Sequence, residues 1–361
     1  MKHTSIFFEQ KKGRRFFRKL VCALLCVCLL LPLSACGETK MAQTQVYAMD
    51  AAITLTAYGK YREAGLSAAQ GVINSMDAML DPELSTSITY AINHADGANA
   101  VVSGQVAKML STAKLVYDRS GGALDLSLYP LIKLWGFVDG KYYVPEEEEV
   151  SAAMLQRCFD KMTLNSFPSS GSFSVSFPRG AQISFAAVAK GCAAENAVNA
   201  MRQAGVTSGI VTMNGNVQTL GLKPDDTKWT VAIQDPNITE NYLGVVSVGE
   251  TAVVTSGGYQ CTFPDIYGNT YHHILNPNTG YPVRNTLLSA TVICPDGTLA
   301  DALATAMCVL GETRAINYWR SYGSDFELIL VTDDGRVLCS SGLIEEITLT
   351  PNSSYTLSFF E

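Results

Sequence analysis

The chain has 361 residues, of which 47% are hydrophobic, with 26 Lys and Arg against 33 Asp and Glu. Without its basic N-terminus it keeps 19 Lys and Arg against 32 acids, a net charge near −13. That argues against nucleic acid as a partner, because phosphate neutralisation needs clustered cations. A dianionic nucleotide stays admissible, since one bound cation inverts the local field.

The N-terminus reads as a targeting segment. Lys11, Lys12, Arg14, Arg15, Arg18 and Lys19 form a basic n-region and residues 20–33 an apolar h-region, too short to span a bilayer comfortably. Leu33-Ser34-Ala35-Cys36-Gly37 has the small-residue pattern of a bacterial lipobox. The expected layout is a lipoprotein signal peptide over 1–35, a lipidated Cys36 opening a polar tether over 36–46, and one folded domain over 47–361. The protein is then expected on the outer side of the cell membrane, lipid-anchored. An ordinary secretory peptide with a chance Cys is the alternative.

Ala51–Tyr58 alternates as a strand, and 63–80 has helical spacing that closes at Asp81-Pro82. Residues 106–120 form a second amphipathic helix stopped by Gly121-Gly122. Residues 166–180, rich in Ser, Pro and Gly, read as a flexible surface loop. A helix follows a loop over 184–204, capped by Gly205. Residues 208–213 and Trp229–Gln234 read as strands with Asn214-Gly215 as a turn between them. A helix over 298–310 takes Thr298 as N-cap and Gly311 just past its end, and 326–331 with Arg336–Ser340 makes a hairpin over Asp333-Asp334-Gly335. Helices and hairpins mix without βαβ alternation, so the class is α+β. Six Cys of the mature chain, Cys158, Cys192, Cys261, Cys294, Cys308 and Cys339, are scattered without a C-x-x-C pair and read as small buried hydrophobes. There is no P-loop, no G-x-G-x-x-G opening a helix, and no H-E-x-x-H.

Three blocks carry candidate chemistry. Asp301 and Thr305, four apart on a helical pattern, project from one face, where a carboxylate and a hydroxyl suit a hard divalent cation. Taken alone, Asp301 could equally cap its helix and Thr305 simply pack. Ile183-Ser184-Phe185-Ala186-Ala187-Val188-Ala189-Lys190-Gly191 opens a helix, where backbone N–H groups and a lysine favour phosphate. His272 and His273 are two of three His after the leader, and as strand neighbours they face opposite ways. Each could be catalytic or structural.

In order, Thr255-Ser256-Gly257-Gly258-Tyr259, the Tyr271 to Pro282 block and Ala300-Asp301-Ala302-Leu303-Ala304-Thr305-Ala306 resemble the FAD:protein FMN transferases, which split FAD and attach FMN to a partner protein. Tyr47-Ala48-Met49-Asp50-Ala51 is similar to the family's M-D-T start, and Gly121-Gly122-Ala123-Leu124-Asp125 to its G-G-A-F-D. The resemblance runs from about Met49 to Gly311. It implies a single compact, T-fold-like α+β domain using Mg²⁺ and FAD, with FAD as substrate. Asp301, Thr305 and the Ala187 carbonyl would hold the metal. Met49, Asp125, Lys190, Thr255, Ser256 and Gly257 would meet the flavin nucleotide. His273 would take the proton from a Thr or Ser hydroxyl of an extracytoplasmic acceptor flavoprotein, with AMP released. His272 would matter far less. The chain departs from the family at Ser184, Ala186-Ala187 and Asn276, where Asp, Gly-Gly and Asp are usual. The rivals are a FAD pyrophosphatase, a flavin-binding lipoprotein without turnover, and a solute-binding lipoprotein.

Overall fold

The computed structural model describes residues 40–167, 171–351 and 353–361. Cys36 and the signal segment lie outside the described residues, as does part of the 36–46 tether. Nine strands form the central sheet, in the order Met41–Ala48, Ala51–Tyr58, Gly209–Met213, Asn216–Leu220, Ala252–Gly257, Leu287–Cys294, Glu327–Thr332, Arg336–Ser340 and Thr356–Phe360. All neighbours are antiparallel except the last pair. The α+β class is therefore observed.

Both faces of the sheet are covered, which explains why its inner strands are continuously apolar rather than alternating. Leu328 and Leu330 point into a core shared with the helices Arg62–Leu80, Gly104–Ser120, Ala186–Gln203 and Gly297–Leu310. Ile329 and Val331 point the other way, onto a three-stranded sheet of Trp229–Gln234, Tyr242–Val248 and Ile347–Leu349. A third, smaller core gathers Leu128, Leu131, Trp135, Val150, Phe263 and Leu275 under a short hairpin, Thr262–Pro264 with Thr270–His272. No helix among the described residues is long and apolar enough to cross a membrane.

Four expectations need correction. The tether does not reach residue 46: Met41–Ala48 is the edge strand, paired from Met41↔Tyr58 to Ala48↔Ala51. Its polar residues face solvent from an edge, so composition alone resembles a tether. The expected loop over 166–180 contains a hairpin, Thr163–Phe167 with Ser172–Ser176, whose Ser-Phe-Ser-Val-Ser alternation is masked by its Ser content. Asn214-Gly215, with φ of 35° and 91°, does turn a hairpin, but the partner strand is Asn216–Leu220. The last long helix is capped by Asp296, whose Oδ1 accepts from Leu299 N at 2.9 Å. Thr298 lies inside the helix and donates to Glu195. Of the six thiols, five are buried and Cys261 is half-buried.

Candidate active site

The site begins where two helices touch backbone to backbone. A Cβ on Gly191 would stand 2.0 Å from the Gly297 carbonyl oxygen and 2.7 Å from the Asp301 Cβ, so Gly191 in the helix Ala186–Gln203 permits a crossing that no larger residue allows. The crossing lays Asp301 of the helix Gly297–Leu310 against the first turns of its neighbour, where Gly191 N–H donates to Asp301 Oδ2 at 2.8 Å. In a regular helix that N–H serves the carbonyl four residues back, which is Ala187. The Asp301 carboxylate and the Ala187 oxygen thus compete for one donor. Neither Ala186 nor Ala187 has a positive φ, so alanine fits where the family pattern has glycine.

Asp301 is buried, and burial raises its pKa against the opposing pull of Lys190 and of backbone N–H groups. Asn216 faces it without closing a bond of normal geometry, and its Nδ2 is buried without a partner. One turn on, Thr305 Oγ1 shares a 3.3 Å hydrogen bond with Ser256 Oγ, and Cys308 Sγ donates to Ser256 O at 3.1 Å. Thr255 is tied instead to Thr291, at 2.8 Å. Gly257 lies under the Tyr259 ring, whose edge would come within 2.4 Å of a Cβ there.

The donors gathered here are all oxygens: one carboxylate, one hydroxyl and one carbonyl. No group of three or more His, Cys, Asp or Glu side chains suited to a metal occurs among the described residues. A buried carboxylate beside an unpartnered amide fits a hard cation that completes its shell with phosphate and water. Two cavities of about 610 and 620 Å³ open elsewhere, one beside His272 and one lined by Asp296, Asp325 and Glu346, so cavity size does not mark this site.

The hairpin carries the histidines as the alternation requires. Tyr271 and Phe263 pack with Trp135, at 5.4 and 6.4 Å between ring centroids, and His273 on the same side sits edgewise to Phe137 at 6.4 Å. His272 lines the 610 Å³ cavity with Gly258, Tyr259 and Arg284. The His273 Nδ1 is buried with no partner, and burial, reinforced by the Lys190 charge, lowers its pKa to about 4. The Lys190 charge thus bears on both His273 and Asp301.

Other expected residues stand further out or serve differently. Met49 (φ 52°) and Asp50 (φ 55°) form the two-residue turn between the first two strands, with Met49 N–H held by Asp77 Oδ1 at 2.8 Å. The Asp125 carboxylate is committed: it accepts from Ser127 N at 2.8 Å, Ser127 Oγ at 2.6 Å and Arg157 Nε at 3.0 Å. It braces a wall of the site, since Leu126 O accepts from Ser184 N at 3.0 Å, and is not a free ligand. Asp77 and Arg157 escape a reading of the sequence, because each acts across the chain; Asp77 lies 28 residues from Met49.

Residues 49–330 match the ApbE family. The chain belongs to the ApbE family. It is 31% identical to the FAD:protein FMN transferase of Treponema pallidum over 288 residues, 76% of this chain and 79% of that protein. It is 26% identical to the FAD:protein FMN transferase of Haemophilus influenzae over 352 residues, 92% of this chain and 99% of that one. In fold it matches the ApbE protein of Thermotoga maritima with a TM-score of 0.76 at 23% identity, covering 84% of this chain and 98% of that one. The flavin transferase ApbE of Vibrio cholerae gives 0.74 at 22%, covering 86% and 100%. The Asp301 crossing and the His273 hairpin both lie within the matched residues 49–330.

Proposed function

We propose that this ApbE-family enzyme transfers FMN from FAD to a Thr or Ser hydroxyl of an extracytoplasmic flavoprotein and releases AMP. The observation that carries the reading is the helix crossing that seats the buried Asp301 carboxylate on the Gly191 amide, next to Lys190, whose charge also reaches His273. Asp301, Thr305 and the Ala187 carbonyl would hold Mg²⁺, which when bound offsets the charge of a pyrophosphate. Lys190 and the N-terminal turn of its helix attract the same phosphates. Met49, Thr255, Ser256 and Gly257 line the approach of the nucleotide, with Asp125 shaping the wall.

His273 is neutral at pH 7 because its pKa is about 4, and a neutral imidazole can accept a proton. It takes the proton of the acceptor hydroxyl as that oxygen bonds to the FMN phosphorus. The bond from that phosphorus to the bridging oxygen breaks, and the oxygen leaves with AMP. The lipobox at Cys36 supports a lipid anchor on the outer face of the membrane. Cys36→Ala should leave the protein unprocessed or released into the medium; equal membrane retention of both forms counts against the anchor.

The test is incubation of the purified protein with FAD and Mg²⁺, with and without an acceptor flavoprotein. AMP and in-gel flavin fluorescence of the denatured acceptor are expected together. AMP at the same rate without an acceptor would make the protein a FAD pyrophosphatase, and no AMP in either case would leave a flavin-binding protein without turnover.

A further inference from the structure

His272, which the sequence reading ranks far below His273, is bonded at both ring nitrogens. Its Nε2 lies 2.9 Å from Val283 O, and its Nδ1 lies 3.3 Å from Ile274 N. A backbone N–H only donates and a carbonyl only accepts, so Nδ1 carries the lone pair and Nε2 the hydrogen. One neutral tautomer satisfies both. Burial first, then Arg284 across the cavity, disfavour protonation, against the Val283 bond.

Those two bonds close a ring of contacts around His273. Val283 N–H donates to Ile274 O at 2.9 Å, and His273 N–H donates to Cys261 O at 3.3 Å, so the peptides on both sides of His273 are fixed. The His273 ring packs edgewise on Phe137, but its Nδ1 is buried without a hydrogen-bond partner that would hold it from that side. Asn276, standing where the family has a carboxylate, accepts from Asn278 N at 2.9 Å and so caps its own turn. The direction of the His273 ring therefore follows its backbone. Gly258 leaves the space for the clamp: a Cβ there would stand 2.8 Å from His272 Cδ2 and 3.0 Å from Cγ.

We infer that His272 is a positioning residue, whose imidazole clips the His273–Ile274 peptide to Val283 and thereby aims the His273 ring, with Gly258 as the gap that admits it. The inference rests on the reading of His273 as the proton acceptor, and its test has one arm free of that reading. In FAD-free protein, ¹⁵N shifts at pH 7 should show His272 protonated at Nε2 alone. Exchange of the Ile274 amide should quicken about tenfold in His272→Ala, the worth of one hydrogen bond. His272→Asn, whose Oδ1 can replace Nδ1, should recover part of that protection.

In the kinetic arm, His272→Ala should lower kcat of flavinylation about 10–100-fold with KM for FAD within about twofold, a displaced general base rather than a lost site. Gly258→Ala should do the same, and the double variant should be no worse than either single one, since both break one clip. If His272→Ala does not fold, His272→Asn and Gly258→Ala carry the test. An unchanged Ile274 exchange rate, a doubly protonated His272, additive losses, or an unchanged kcat would each overturn the inference. If wild type flavinylates no acceptor, the functional reading falls, while the exchange and ring-nitrogen results still decide whether the clip exists.

Discussion

The helix crossing and the histidine hairpin hold Asp301 and His273 by opposite means. At the crossing, Asp301 is fixed by the absence of side chains at Gly191 and Gly297, which lets two rigid helices meet at backbone distance. On the hairpin, His273 directly follows a strand only three residues long, and its backbone is held by a single hydrogen bond to Cys261 O. Packing sets the first with no adjustable part; the second depends on individual bonds and is open to small substitutions. A group that binds charge can be held by shape, whereas a group that moves a proton must be aimed.

The largest effect should come from the crossing. Gly191→Ala drives a methyl into the Gly297 carbonyl, and overpacking of this kind costs about 1–3 kcal/mol or more. Activity should vanish along with the seating of Asp301, and a melting curve together with AMP release checks both. His273→Ala should cut flavinylation by about 10²–10⁴-fold, the usual share of general-base catalysis, with FAD binding and the fold intact. Wild-type rates in that variant would mean that another group takes the proton.

Arg157→Ala removes a half-buried guanidinium from the buried Asp125 carboxylate, which keeps only its Ser127 bonds, at a cost of about 1–3 kcal/mol. Urea unfolding measures it, and a change below 1 kcal/mol would show that Asp125 is not the brace described here. Acid sharpens the comparison further. The pKa of His273, about 4, lies below its unfolded value near 6.5, and that of His272 is lowered as well. The unfolded chain then binds more protons, so this stability is full above pH 6.5 and falls as pH drops towards 4. His273→Gln should flatten the fall between those values. Smallest of all, Trp135→Phe removes the 3.0 Å bond from Nε1 to Gly280 O and should cost about 1 kcal/mol, with little effect on activity.

What the sequence discloses and what it hides follow the same division. The four-residue spacing of Asp301 and Thr305 is a local property of a helix, and the opposite facing of His272 and His273 is a local property of a strand; both are legible. The role of Gly191 is not, because it depends on a contact with a helix 110 residues away at Asp301. Nor is the capture of Met49 N–H by Asp77, or the committed carboxylate of Asp125, whose third partner is Arg157. The edge strand Met41–Ala48 stays hidden because an exposed face imposes no apolar pattern. The family resemblance supplies the roles, and the structure shows which side chains are free to take them.

If the crossing binds charge and the hairpin moves a proton, one paired measurement separates the two. FAD binding is followed with and without Mg²⁺ in wild type, Asp301→Ala and His273→Ala, and single-turnover transfer to an acceptor is followed in the same samples. The account predicts that Asp301→Ala loses the Mg²⁺-dependent part of FAD affinity and all transfer. It predicts that His273→Ala keeps wild-type affinity and loses transfer alone. Equal loss of FAD affinity in both variants, or transfer by Asp301→Ala at the wild-type rate, would contradict it.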